Sequence, residues 1–227
     1  MYWEEKNEDE KIVLDDVIDI AFRLDAATIP IDHAQILTDS LLSKLPWLEE
    51  EENTGVHMIH VAASGNGWQR PEDIENESLC LSKRTRLNIR IPRSRIEDAM
   101  ALTGDTLDID GTEIKVGASQ IKLLSDSTTI FSRYIVSDSE ETEDEFMQRQ
   151  QQEMSEYGIK VKKMLCGMQN VFNMDGQQVH TKSIMLAELT PGESVQLQMK
   201  GLGARRISGF GLFIAHRGIA AVFSGNE

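Results

Sequence analysis

The sequence predicts an α+β protein built as two β-α-β-β-α-β units in tandem, and three observations predict it. Apolar and polar residues alternate in several short runs, the signature of half-buried strands. Between those runs lie segments with helical spacing and their own start and stop signals. The resulting order of elements occurs twice along the 227 residues, a length sufficient for two small cores.

The first unit opens at Val17 to Leu24, where Ile18, Ile20, Phe22 and Leu24 alternate with Val17, Asp19, Ala21 and Arg23. A helix is expected from Asp32 to Leu45, with Asp32 and Gln35 as a capping box and Leu37, Leu41 and Leu45 on one face. Gly55 to Ala62 is β-rich, and a polar loop follows through Pro71. Arg84 to Pro92 alternates cleanly, placing Leu87, Ile89 and Ile91 on one side and Arg86, Asn88 and Arg90 on the other. Ser94 opens a short helix that Gly104 ends, and Thr106 to Val116 forms one or two strands around an Asp110-Gly111 turn.

The second unit repeats this order without residue-level similarity. Ile130 to Val136 reads as a strand, and Glu141 to Tyr157 as an acidic helix stopped by Gly158. Lys160 to Cys166 pairs with Val179 to Leu189 across an embellished turn near Asp175-Gly176. Thr190, Pro191 and Glu193 read as N-cap, N1 and N3 of a last helix that Gly201 stops, and Gly209 to Ile214 reads as the closing strand. Each unit is therefore ferredoxin-like. The expected domains are 1–124 and 125–227.

Composition narrows the class. No stretch is apolar enough to span a bilayer and no leader has the pattern of a secretion signal, which points to a cytoplasmic protein. Cys80 and Cys166 lack metal-site spacing and read as buried free thiols. The net charge of −15 argues against a polyanionic partner until its distribution is considered. Residues 1–19, 49–52 and 138–156 carry −6, −4 and −7, so the remainder is weakly positive. Within it, Lys83, Arg84, Arg86, Arg90, Arg93 and Arg95 crowd together.

The segment GLGARRISGFG, from Gly201 to Gly211, joins the last helix to the last strand. Glycine permits close backbone approach and positive φ, and Arg205 and Arg206 supply forked donors suited to phosphate. The segment lacks the Gly-Lys-Ser/Thr of a P-loop, and Arg206 stands where a dinucleotide fingerprint needs glycine.

This segment and the tandem architecture resemble the CRISPR-associated repeat-cleaving endoribonucleases of the RAMP superfamily, the Cas6 family. Ile29-Pro30 through His33 resembles the family again, as does His57-x-x-His60 followed by SGNGW. The resemblance implies a metal-independent endoribonuclease that needs no cofactor. It would bind the repeat RNA of a CRISPR precursor, cut on the 3′ side of a stem-loop and hold the product; the alternatives are a non-catalytic RNA-binding subunit of the same fold, with other subunits of a CRISPR effector complex as partners, and an acidic scaffold that binds only protein.

Metal-free cleavage uses the RNA's own 2′-hydroxyl, so a proton acceptor, a proton donor and a cation are required. Histidine suits proton transfer near neutral pH. His33, at the start of the first helix, is the first candidate, with a structural histidine as the competing reading. His57 is the alternate, since in a strand His57 and His60 face opposite ways. Some family members use a tyrosine on the first helix; none lies between Asp32 and Leu45. For RNA contacts the candidates are Arg86 and Arg90 on one strand face, with Lys200, Gly201, Gly203, Arg205 and Arg206 near the glycine loop. No metal ligands are assigned.

Overall fold

The structure is a computed structural model that describes residues 16–60 and 77–216. The start of the acidic leader, the SGNGW loop with Trp68 and the end of the C-terminal tail lie outside the described residues. The chain forms two compact units. Among the described residues the first comprises 16–60 and 77–123 with the returning segments 172–179 and 205–209, and the second comprises 124–171, 180–204 and 210–216.

In the first unit the strands are β1 (Val17–Asp25), β2 (Thr28–Pro30), β3 (Gly55–Val56), β4 (Ser78–Cys80), β5 (Arg86–Pro92), β6 (Thr106–Ile109) and β7 (Thr112–Leu123), and the helices are α1 (Ala34–Lys44) and α2 (Ile96–Met100). The main sheet runs β3-β5-β1-β7-β6, with every pairing antiparallel. Without the extra edge strand β6, this is the ferredoxin-like order. The alternating residues do what their pattern requires: Ile18, Ile20 and Phe22 of β1 and Leu87, Ile89 and Ile91 of β5 are fully buried, in one core with Leu37, Leu41 and Leu45. Each such side chain contributes about 1.5–3 kcal/mol on leaving water.

Helix α1 departs from expectation at its start. Its N-cap is His33, and no side chain caps the first turn. Asp32 instead accepts a hydrogen bond from the Asn173 backbone N–H at 2.9 Å, and Gln35 donates to Asp39, so the expected capping box does not form. The packing of Leu37 and Leu41 is what stabilises the helix. The Asp110-Gly111 turn forms as expected, with both residues at positive φ. The β7 strand runs past Val116 to Leu123. The two-stranded β2-β4 ribbon was not anticipated.

The second unit contains β8 (Ile130–Ser137), α3 (Glu143–Glu156), α4 (Pro191–Lys200), β11 (Ile214–Ala215) and most of β9 (Lys163–Met174) and β10 (Gln177–Ala187), the tip of whose hairpin, 172–179, is grouped with the first unit. Its sheet order is β11-β8-β10-β9, again ferredoxin-like. Both helices have complete capping boxes, Thr142 with Glu145 and Thr190 with Glu193. The hairpin turn is a tight Asp175-Gly176 pair at positive φ with longer arms than expected.

The expected strand from Gly209 is a correction. Gly209 and Gly211 have φ of 92° and 69°, which strand residues do not adopt, and β11 is confined to Ile214 and Ala215. Cys80 is exposed and Cys166 half-buried, contrary to the reading of both as buried. Among the described residues, no helix is long and apolar enough to cross a membrane.

Candidate active site

Two adjacent strands of the first unit and the segment just past a third bring an acid, an arginine and a histidine together. Asp19 on β1 stands opposite Arg90 on β5 in the strand register. Arg90 stands opposite Gly55 on β3, and beyond β3 the chain keeps this course, with the His57 N–H donating to the Asn88 carbonyl at 2.9 Å. Side chains at such positions share one sheet face.

Arg90 is 1% exposed, and its guanidinium forks onto Asp19, Nε to Oδ1 at 2.8 Å and Nη2 to Oδ2 at 3.0 Å. His57 Nε2 lies 3.6 Å from the same Oδ1, with the histidine side chain 14% exposed and the aspartate 16%. Burial alone would raise the Asp19 pKa, but Arg90 and His57 outweigh it and hold the carboxyl well below the usual range. The His57 pKa moves down from its ordinary value. Burial is the main cause, Arg90 and Arg206 add to it, and Asp19 opposes it. His57 is accordingly neutral at pH 7, the state of a proton acceptor.

The 205–209 segment belongs to this unit. It turns at Arg205, which has left-handed backbone (φ 65°), forms a 3-10 turn over Arg206–Ser208 and ends at Gly209. Ile207 packs against the first core, and its carbonyl accepts from the Thr38 hydroxyl at 3.4 Å. Gly209 is indispensable for this approach. A Cβ there would lie 2.6 Å from Met58 Cγ, 3.2 Å from the Val56 carbonyl and 3.3 Å from the Met58 nitrogen, so the loop closes directly on the backbone flanking His57.

His33 has a different environment. It is 3% exposed. Its Nδ1 donates to the Pro30 carbonyl at 2.8 Å and its Nε2 accepts from the Ile59 N–H at 3.1 Å. A carbonyl only accepts and a backbone N–H only donates, so the ring is the neutral Nδ1–H tautomer. With both nitrogens engaged, it ties the turn before α1 to the segment just after His57. His57 and His60 were expected in one strand, but β3 ends at Val56.

Arg90 was expected to face RNA; its burial against Asp19 makes it part of the site's foundation. Arg86 is half-buried, and its Nη1 donates to the Lys83 and Thr85 carbonyls, both at 2.7 Å. Arg205 is exposed, with Asp175 3.9 Å away. In the second unit, Lys200 lies 5.1 Å over the Tyr157 ring. The Gly201 N–H closes helix α4 on the Leu197 carbonyl, and the Gly203 N–H donates to Glu153 at 2.9 Å. Those two glycines serve their own unit's backbone. Asp19 was missed as a site residue, and its signal was slight: one acid set between the apolar residues Ile18 and Ile20 of β1. Among the described residues, no group of three or more histidine, cysteine, aspartate or glutamate side chains is placed to hold a metal ion.

Residues 18–218 match the family model described as Cas6 Crispr. A Myxococcus xanthus (strain DK1622) protein named CRISPR-associated endonuclease Cas6 is 24% identical over 197 residues, 87% of this chain and 80% of that one. Solved structures share the fold. One described as CRISPR associated protein Cas6 superposes with a TM-score of 0.60 at 13% identity, over 88% of this chain and 100% of its own. A Cas6-related protein from Pyrococcus furiosus gives 0.56 at 14%, covering 87% and 97%. Thermus thermophilus Cse3, bound to an RNA representing a pre-cleavage complex, gives 0.51 at 13%, covering 87% and 98%.

Proposed function

The chain belongs to the Cas6 family of CRISPR-associated endoribonucleases, and from that premise we propose that it cuts repeat RNA without a metal, on the 3′ side of a stem-loop, with His57 as the proton acceptor. The 2′-hydroxyl loses its proton to His57 and attacks the adjacent phosphorus. The bond from phosphorus to the 5′-oxygen breaks, and that oxygen takes a proton from solvent water and leaves as a hydroxyl, while the proton held on His57 returns to solvent. The products are a 2′,3′-cyclic phosphate and a 5′-hydroxyl end. Arg206, whose charge acts on His57, supplies the cation that holds the developing negative charge on phosphorus.

The observation that carries this reading is the contrast in ring environments: His57 is held neutral beside a fixed carboxylate, whereas both nitrogens of His33 are engaged. His33 then shapes the site from behind, through Ile59. Arg86, Arg205 and Lys200 contribute phosphate contacts along the bound RNA. Retention of the cut product would carry the guide RNA to the other subunits of an effector complex.

The test is cleavage of the cognate repeat RNA in EDTA. The expected result is one specific cut that a single 2′-deoxy substitution at the scissile nucleotide abolishes while binding persists. Cleavage of the deoxy substrate would overturn the mechanism, and dependence on added metal would overturn metal independence.

A further inference from the structure

The Asp19 and Arg90 pair is more elaborate than a sheet ion pair needs to be. Replacing such a buried pair by apolar residues is often neutral or stabilising, so charge here invites a role beyond packing. Both Asp19 oxygens accept from the Arg90 fork, which fixes the carboxylate plane. One lone pair of Oδ1 remains available. His57 Nε2 lies 3.6 Å from it, and that nitrogen is buried with no hydrogen-bond partner among the described residues. Closure by less than about 1 Å brings the two into hydrogen-bond range, and such contacts commonly tighten when substrate binds.

We propose that Asp19 is a positioning residue: it orients the His57 ring and keeps the imidazole proton on Nε2, so that Nδ1 is the nitrogen that receives the 2′-hydroxyl proton. The proposal rests on the reading of His57 as proton acceptor. An ionised carboxylate can only accept, so the proton it faces must stay on Nε2. Once Nδ1 takes up the second proton, the same carboxylate stabilises the imidazolium. The charged groups facing His57 are Asp19 from β1, Arg90 from β5 and Arg206 from the 206–208 turn. Lys122 of β7 stands opposite Asp19 in register, with its ammonium on Asn88 Oδ1 at 3.3 Å. Asp19 is therefore the one negative charge among these groups, and it alone favours the protonated ring.

The experiment is 15N NMR of the histidines in the full chain, with His57 assigned by the loss of its signals in His57→Gln, alongside single-turnover pH–rate profiles of wild type and Asp19→Asn. The expected wild-type tautomer is Nε2–H. In Asp19→Asn the Nε2–H preference should be lost, the acid limb of the profile should move to lower pH, and the plateau rate should fall by about 10²–10⁴-fold. The Kd for RNA should change by less than about twofold. A purely structural Asp19 would leave the tautomer and the acid limb where they are, and that result would overturn the proposal. An Nδ1–H wild-type tautomer would also overturn it, and it decides the matter even where Asp19→Asn fails to fold. Full cleavage by His57→Ala would instead overturn the catalytic reading, whatever the tautomer.

Discussion

His33 and His57 belong to the same unit, and the difference between them separates holding from acting. His33 uses one nitrogen as donor and the other as acceptor, both to backbone groups. His57 meets side-chain charges instead, a carboxylate on one side and two guanidinium groups nearby. A ring satisfied on both edges gains nothing by exchanging a proton, because protonation would destroy the bond its acceptor nitrogen makes. A ring poised against opposing charges is a proton-transfer group whose state the neighbours set. On the mechanism we propose, these environments give opposite duties to two histidines that the sequence offers as alternatives for one duty.

The sharpest way to break this comparison is to remove what lies beneath His57. Arg90→Ala leaves Asp19 buried without its main counter-charge and should cost about 3–5 kcal/mol of stability, measured by urea unfolding. A cost under about 1 kcal/mol, with RNA affinity lost instead, would return Arg90 to the RNA surface. His33→Ala should come next, losing about 2–4 kcal/mol from a cavity and two orphaned backbone groups. Its single-turnover rate, corrected for folded fraction, should stay within about tenfold of wild type, since its role is support.

Gly209→Ala tests whether the loop truly closes on the His57 backbone. Positive φ and the approach to Met58 and Val56 together should cost about 1–3 kcal/mol. Gly104→Ala is the control. Gly104 also has positive φ, but a Cβ there meets nothing within 4 Å, so the loss should be only about 1 kcal/mol. Equal losses would mean the loop's approach contributes nothing.

Acid should weaken the same region. The Asp19 pKa is lowered, so the native state resists protonation, and the stability this supplies is present above the unfolded pKa of about 3.9 and lost as pH falls below it. The lowered His57 pKa acts in the same sense from about pH 6.5 downward, because the unfolded chain binds that proton first. Each group contributes at most about 1.4 kcal/mol per pH unit. Unfolding free energies at pH 7, 5.5, 4 and 3 should therefore decrease in that order; no loss between pH 7 and 5.5 would contradict the His57 shift, and no further loss between pH 4 and 3 would contradict the Asp19 shift. Smallest of all, Arg205→Ala with Arg206→Ala should lower the slope of log Kd against log salt by about 1–2.

Much of the fold was legible because period-2 alternation and capping signals are local. Ile18-Ile20-Phe22 and Leu87-Ile89-Ile91 specified their own burial, and Thr190-Pro191-Glu193 specified its helix start. The β2-β4 ribbon was not legible, because three-residue strands that pair across a long stretch of chain leave no period to read. Gly209 was misread because apolar residues around glycine look like a strand, whereas its positive φ and close packing exist only in three dimensions. In the site, His57 was legible as a candidate, yet Asp19 and Arg90 looked like ordinary outward-facing strand residues. Only the register between β1 and β5 makes them a pair, and only burial of that sheet face makes the pair matter.

The central claim, that His57 and not His33 exchanges the proton, is tested most directly by chemical rescue. Single-turnover cleavage of repeat RNA by His57→Ala should be at least about 10²-fold slower than wild type, and it should recover in proportion to added imidazole, while His33→Ala should show no such recovery. Wild-type cleavage by His57→Ala without imidazole, or rescue seen only in His33→Ala, would contradict the account.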